Sequence, residues 1–552
     1  MNFYLGGLNT FGYHLVNVVI HIINGWLIFW LVLKTLSLSR SGISKLGQDY
    51  KNYYEFKTDD RFAWKIAFSV TLIWLIHPVQ IQAVTYIVQR LASLSALLCL
   101  CSFSLYLSGR LRSDQKKYLF YVLSIFAGLL ALGVKQTAVV LPFLIFPYEL
   151  FFFHESPWKA LKKRWWVLVL LGVFLSIMTV VYLGPNFWET LQQSYAQWDF
   201  TMWQRLITEA RVIIHYISLI ALPLPSRLNV DYDFTVSTSL FEPFTTWLSV
   251  VAIFTILVYA IVIAHRQPLL SFAILWFFGN LVIESTIIPL DLVYEHRLYL
   301  ASLGPIAAMT LFVYQKLIVR HKSMGPIVLL IVAIPLAFWT FQRNQLWADP
   351  IKIWTDNVKK SPGKARVYAN LGEVLGSEGR YEEAAEAFER AIQLAPNYFI
   401  AYNNLAVIYL HHQKKYNKAK ALLHRALELK PDYPTGYLNL SAVAQRQGNY
   451  NEAMRALKKA LELDPTNLEA HYNLALYYKR FGDFSKAMEI LNRGISYWPA
   501  AHLLYLLKGR IYLEINQPTK ADAAFRKANV LRPDDPKYVI TIRRLNKIWI
   551  IY

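Results

Sequence analysis

The chain has 552 residues, 55% of them hydrophobic and only 17% charged. A mean hydropathy of +0.29 excludes a wholly soluble protein of this size. The net charge of +21 does not mark a nucleic-acid protein either, because it is scattered through short loops and no nucleic-acid motif accompanies it.

Apolar runs of about 20 residues, enough to cross ~30 Å of hydrocarbon, recur through the first 341 positions and then stop. The chain opens with "MNFYLGGLNTFGYHLVNVVIHIINGW", one step from a span and without the basic start of a signal peptide. An upstream helix missing from the sequence is the expectation. Spans are predicted at 12–35, 62–76, 91–108, 118–134, 137–153, 165–183, 245–264, 268–283, 299–319 and 326–341, with 206–222 re-entrant or interfacial. Basic residues gather in alternate loops: Arg40 to Arg61, Arg110 to Lys117, Lys159 to Arg164, Arg266, and Arg320 with Lys322. The positive-inside rule puts these loops in the cytoplasm and both termini on the outer face. Asp59 and Asp60 then lie inside, as a helix N-cap and a solvated charge. Cys99 and Cys101 sit two apart in a helical run and face different ways, so neither a disulfide nor a metal pair is expected.

Four polar insertions fall at the outer ends of spans. "HPVQIQAVTYIVQR" holds His77, Gln80, Gln82, Gln89 and Arg90, and "GVKQTAVVLP" holds Lys135 and Gln136. "LPSRLNVDYDF" holds Arg227, Asp231 and Asp233, and "NLVIESTIIPLDLVYEHRLYLASLG" holds Glu284, Asp291, Glu295, His296 and Arg297. Ionisable groups at membrane depth are expensive and are functional candidates by default. Arg90, Lys135 and Arg297, mixed with carboxylates, suit an anionic headgroup, which an arginine grips with two parallel bonds. The competing account is that they form interhelical pairs or snorkel to the surface. Asp231 and Asp233 have the D-x-D spacing that can hold a divalent cation, the one cofactor suggested; a turn-stabilising role is the alternative.

The last third is polar and repetitive. Its pattern closes at Pro396, Pro431, Pro465, Pro499 and Pro533, at spacings of 35, 34, 34 and 34 residues, the tetratricopeptide period. Small residues recur where two helices must approach, from Gly372 to Gly509 in the first helix of each pair and from Ala384 to Ala521 in the second. Stacked pairs predict an α-solenoid with a concave surface over 365–534, preceded by a linker helix at 342–364 and closed by a capping helix at 535–552. The whole is an all-α protein: a polytopic membrane domain over 1–341, then the solenoid. Asn370, Asn404, Asn439 and Asn473 recur just before a leucine of each first helix, while Leu507 ends the row. A row of amides facing the groove can pair with the backbone of an extended acceptor peptide; common repeat consensus is the alternative.

"HPVQIQAVTYIVQR", "VKQTAVVLPFLIFPYE" and "YEHRLYLASLGP", followed by the repeats, resemble the transmembrane and tetratricopeptide-repeat O-mannosyltransferases and their bacterial relatives, of the GT-C class. The resemblance implies a polyprenyl-phosphate-linked sugar donor, transfer at the outer or periplasmic face of a bacterial inner membrane, and an acceptor protein or peptide recruited by the solenoid. It places His77, Gln89, Arg90, Lys135, Gln136, His296 and Arg297 at the donor phosphate. The catalytic acid of that class belongs to a first outer loop, upstream of what this sequence contains. Where eukaryotic members carry Arg-Ala-Asp, this chain has Arg90-Leu91-Ala92-Ser93. Asp231, Asp233 and Glu295 are the remaining candidates for a catalytic carboxylate. The alternative function is a non-catalytic membrane scaffold whose solenoid gathers envelope proteins.

Overall fold

The structure, a computed structural model, describes residues 10–45, 60–196, 198–318 and 324–532. The expected capping helix at 535–552, and Asp59, lie outside the described residues. Two compact units divide the chain, Met1–Pro362 and Gly363–Tyr552. Every regular element among the described residues is helical.

The first unit is built on α1 (Thr10–Lys45), α2 (Asp60–Leu75), α3 (Arg90–Arg110), α4 (Lys116–Val134), α5 (Leu141–Phe153) and α6 (Trp165–Leu183). There follow α7 (Phe187–Tyr195), α8 (Met202–Ala221), α9 (Thr245–Ile263), α10 (Pro268–Leu281), α11 (Leu303–Val313), α12 (Met324–Trp347) and α13 (Pro350–Lys360). Among the described residues seven helices are long and apolar enough to cross a membrane, or up to nine if two bent pairs each count as one span.

The bends fall where the sequence inserts polar residues. At Ile76-His77-Pro78 the proline disfavours helix in the residue before it, and His77 is extended (φ −73°, ψ 129°). The chain resumes over Pro78–Val84 at 52° to α2, and Glu295–Ala301 meets the helix beginning at Leu303 at 56°. The segment 206–222, expected to be re-entrant or interfacial, lies in α8, one continuous 20-residue helix begun by a capping box in which Thr201 and Gln204 satisfy each other's backbone N–H. One expectation shifts: there is no single linker helix over 342–364, because α12 runs on to Trp347 and Asp349 caps a separate helix, α13.

The bundle is arranged as lipid requires. Trp74, Leu100, Phe103, Tyr148, Phe277 and Leu298 fill one buried core. Leu168, Val169, Leu170 and Ile177 of α6 and Ile331 and Ile334 of α12 point outward, a surface that hydrocarbon accepts and water would not. Small residues bring backbones together: a methyl group on Gly304 of α11 would collide with the Ala273 carbonyl oxygen of α10.

The second unit is five helix pairs: α14 (Ala365–Ser377) with α15 (Tyr381–Leu394), α16 (Phe399–His411) with α17 (Tyr416–Leu429), and α18 (Pro434–Arg446) with α19 (Tyr450–Leu463). α20 (Leu468–Arg480) pairs with α21 (Phe484–Tyr497), and α22 (His502–Glu514) with α23 (Pro518–Leu531). Ala384, Ala419, Ala453, Ala487 and Ala521 are wholly buried, and Phe525 packs where a Cβ on Gly509 would sit, 2.5 Å from its ring. Each turn inside a pair needs one left-handed residue: Gly379, Gly448 and Gly482 supply it at φ 77–78°, while Lys414 and Asn516 take the same position at φ 53° and 57°.

Candidate functional site

The polar insertions converge at one end of the bundle, around the segment 284–297. That segment is non-helical up to Tyr294, so its carbonyls need donors that a helix would have supplied. Two arginines provide them. Arg205 of α8 donates through Nε to Thr286 O (3.0 Å), through Nη2 to Glu284 O (2.8 Å) and through Nη1 to Leu290 O. Arg297 donates to Leu292 O (2.9 Å) and Asp291 O (2.6 Å).

So held, the segment presents Glu284 to Lys135, whose Nζ donates to Glu284 Oε1 at 2.7 Å. Burial alone would raise the Glu284 carboxyl, but Lys135 and Arg297 outweigh it and hold the group below its usual range. The His296 N–H donates to Gln82 Oε1 (2.7 Å), so that atom is an acceptor; His296 Nδ1, 3.2 Å from it, must then carry the ring proton. Lys135, Asn280, Glu284, His296 and Arg297 border one cavity of about 50 Å³. That is room for water and too little for a glycosyl phosphate, so the cluster is closed in this state. Arg297 Nε is buried there without a hydrogen-bond partner among the described residues.

Not all the expected residues meet at this cavity. His77 is buried in a structural role: its Nδ1 accepts from Val79 N (3.3 Å), so Nε2 donates to Ile220 O (3.0 Å) at the end of α8. Arg90 ties α1 to the start of α3 through Asn17 Oδ1 (2.6 Å) and Tyr13 O (2.9 Å). Gln89 is half-buried and Gln136 exposed, and neither lines the cavity. Of the donor-site residues read from sequence, the cavity gathers Lys135, His296 and Arg297.

The carboxylate candidates fare differently from one another. Glu295 is fully buried in a closed network: it accepts from Asn229 N (2.6 Å), Tyr232 Oη (2.8 Å) and Arg343 Nη2 (2.9 Å to each oxygen). Asn229, Tyr232 and Arg343 therefore hold the Glu295 carboxylate in place. Its partner Tyr232 has its hydroxyl pushed well above the usual range by burial and by Glu295 itself. Asp231 is buried and Asp233 exposed. Asn357 Oδ1 of α13 accepts from Asp231 N (3.2 Å), and Ser361 Oγ, just past that helix, accepts from Asp233 N (3.0 Å). No group of three or more His, Cys, Asp or Glu among the described residues could hold a metal.

Sequence reading missed Arg205, Glu209 and Arg343. The signal was present for the first two: an ion pair spaced i, i+4 inside the apolar stretch of α8. Arg205 Nη2 and Glu209 Oε1 lie 2.9 Å apart, both buried, and burial pushes Glu209 up to about 7 against the pull of Arg205.

In the solenoid the four asparagines are half-buried. Asn439 Nδ2 donates to Asn403 Oδ1 (2.8 Å) and Asn403 Nδ2 to Asn404 Oδ1 (3.0 Å), so part of the row is linked by a residue outside it.

These elements define an integral membrane protein that joins an apolar helix bundle to a tetratricopeptide solenoid. Tetratricopeptide-repeat profiles match residues 365–398, 397–466, 444–497 and 472–536. Across both units the chain is similar to proteins named protein O-mannosyl-transferases. It is 25% identical over 405 residues to F38B6.6 of Caenorhabditis elegans, covering 72% of this chain and 53% of that protein. It is 24% identical to human TMTC1, covering 74% of this chain and 48% of that one. The chain thus spans about half the length of the curated relatives it matches. Among solved structures, YrrB, "a TPR protein with an unusual peptide-binding site", aligns with 35% of this chain and 99% of its own at 20% identity, with a TM-score of 0.30.

Proposed function

We propose that this chain transfers a sugar from a polyprenyl-phosphate donor to an acceptor protein at the outer face of the membrane, with the solenoid recruiting the acceptor. One observation carries the reading: Lys135, His296 and Arg297 border a single polar cavity at the end of an apolar bundle, in a chain similar over most of its length to O-mannosyl-transferases. In such a transfer the acceptor hydroxyl attacks the anomeric carbon, the bond from that carbon to the phosphate oxygen breaks, and the lipid phosphate leaves with the electron pair. Lys135 and the unpartnered Nε of Arg297 supply positive charge where that charge collects. Admission of the phosphate requires Lys135 to exchange Glu284 for it. The hydroxyl's proton goes to a carboxylate, for which Asp231, Asp233 and Glu295 are the candidates this chain offers.

The test uses the full chain in lipid nanodiscs, a polyprenyl-phosphate mannose donor and an extended peptide acceptor. Lys135→Met keeps the stem and removes the charge; transfer is expected to fall about tenfold to a hundredfold, and thermal unfolding of the same variant separates that loss from the stability cost of stranding Glu284. Transfer at the wild-type rate in that variant sinks the donor-site reading. The scaffold alternative is favoured by one fact, that Lys135 is already paired within the protein, and it gains if the unaltered chain transfers nothing.

Peptide capture by the solenoid has its own test. Asn404, Asn439 and Asn473 changed together to Ala should lower the melting temperature modestly, because buried Asn403 loses two partners, while the chain stays folded and binds an unstructured acceptor peptide more weakly. Undiminished binding rules out the amide row as the contact.

A further inference from the structure

A second cleft lies outside the cluster just described. It opens between α7 and the start of α8, has a volume of about 600 Å³, and is walled by Trp188, Tyr195, Trp198 and Phe200 with Gln192 and Asp199 on its edge. The rings form a connected wall: Trp198 and Phe200 have centroids 5.1 Å apart, and Tyr195 and Phe200 6.3 Å apart. The Tyr195 hydroxyl donates to Ile287 O (2.7 Å), which fastens this wall to the segment that carries Glu284. Neither Gln192 nor Asp199 makes a side-chain hydrogen bond or ion pair among the described residues, and no Lys or Arg lines the cleft.

We infer that this cleft binds a neutral pyranose ring. A pyranose has an apolar C–H face, which packs on an aromatic surface, and a rim of hydroxyls that both donate and accept. The four rings offer the first contact. The amide of Gln192 and the carboxylate of Asp199 offer the second, and neither has to surrender a partner to do so. The absence of lining cations excludes a phosphate as the group recognised here, which separates this cleft from the Lys135 cavity. A volume of about 600 Å³ lies within the range of small-molecule sites and exceeds one ring, so a sugar carrying a substituent fits. The inference rests on the glycosyl-transfer reading for the kind of ligand, and deepens it by adding a sugar subsite beside the phosphate cluster.

The experiment is saturation-transfer NMR on the full chain in nanodiscs, with the methyl glycosides of glucose, mannose and galactose as probes. Trp188→Ala and Asp199→Asn alter exposed side chains, so the fold is kept. At least one glycoside should receive magnetisation at its ring C–H protons, and either variant should bind it about five- to tenfold more weakly. A short-chain prenyl-phosphate mannoside in competition separates the sources: displacement assigns the subsite to the donor sugar, no displacement to a glycan on the acceptor. Lys135→Met should leave glycoside binding intact, so failure of the transfer reading and failure of this inference are distinguishable. Absence of saturation transfer, or transfer that both variants leave undiminished, overturns the inference. So does strong quenching of Trp188 by brominated lipids, which would make these rings membrane-interface anchors.

Discussion

Arg343 and Glu295 form a pair with almost no solvent exposure, and neither can be removed alone without cost. With Arg343 changed to Met, Glu295 keeps its bonds from Asn229 and Tyr232 but loses its ion-pair partner. The unfolding free energy should drop by about 3–5 kcal/mol. The double variant with Glu295→Gln should recover much of that loss, because the uncompensated charge is gone; thermal unfolding in detergent of both chains decides it. Equal destabilisation of single and double variants would mean that the arginine matters for packing rather than charge.

Glu209 is also read at this scale. Its carboxyl is raised from 4.5 to about 7, mainly by burial. The folded chain therefore keeps a proton over that interval which the unfolded chain has released. Its stabilising effect is complete below the unfolded value and is lost as pH rises through the folded one. The melting temperature of the native chain should decline between about pH 5 and about pH 8, whereas Glu209→Gln should be flatter over the same window. Parallel slopes for the two proteins would contradict the assignment.

Among elements, the contact of α10 with α11 is the most sensitive. Gly304 faces backbone rather than a side chain that could turn aside, so Gly304→Ala must push the helices apart. A loss of about 1–3 kcal/mol in stability is expected, against little change for Gly172→Ala, where nothing lies near. Similar melting points for the two variants would show that the helices separate at no cost. The broken elements were half legible. Pro78 announced the end of α2, but nothing local announced that Arg205, some 80 residues away, would join Arg297 in satisfying the 284–292 carbonyls. Arg205 and Glu209 of α8 escaped notice for a related reason: only the packing shows that both are buried.

For the whole molecule, the distribution of lysine and arginine assigns the loops to two sides. Ser113, in the basic turn between α3 and α4, is exposed, as are Ser239 before α9 and Ser496 in the solenoid. Cysteine placed at Ser239 or Ser496 should react with an impermeant thiol reagent in intact cells, and cysteine at Ser113 only after the membrane is opened. Labelling at Ser113 and Ser496 alike would require an even number of crossings between them and displace the proposed donor site from the outer face.

What the sequence determined by itself was whatever depends on periodicity and composition. Apolar runs of membrane-spanning length, a 34-residue repeat with small residues at its contacts, and the unusual polar insertions are all local patterns, and each corresponds to a described element. Tertiary structure decided which charges are free to act. Arg90, Arg205, Arg297 and Arg343 look alike in sequence, each beside an apolar run. In the folded chain one ties two helices, two satisfy stranded carbonyls, and one neutralises a buried carboxylate. Glu295 and Lys135 were likewise equal candidates, yet one is enclosed by three donors and the other borders a cavity. The physical reason is that a buried charge takes its role from partners brought together across 48 to 214 residues, as Glu295 with Arg343 and His296 with Gln82. No spacing within a motif encodes those meetings.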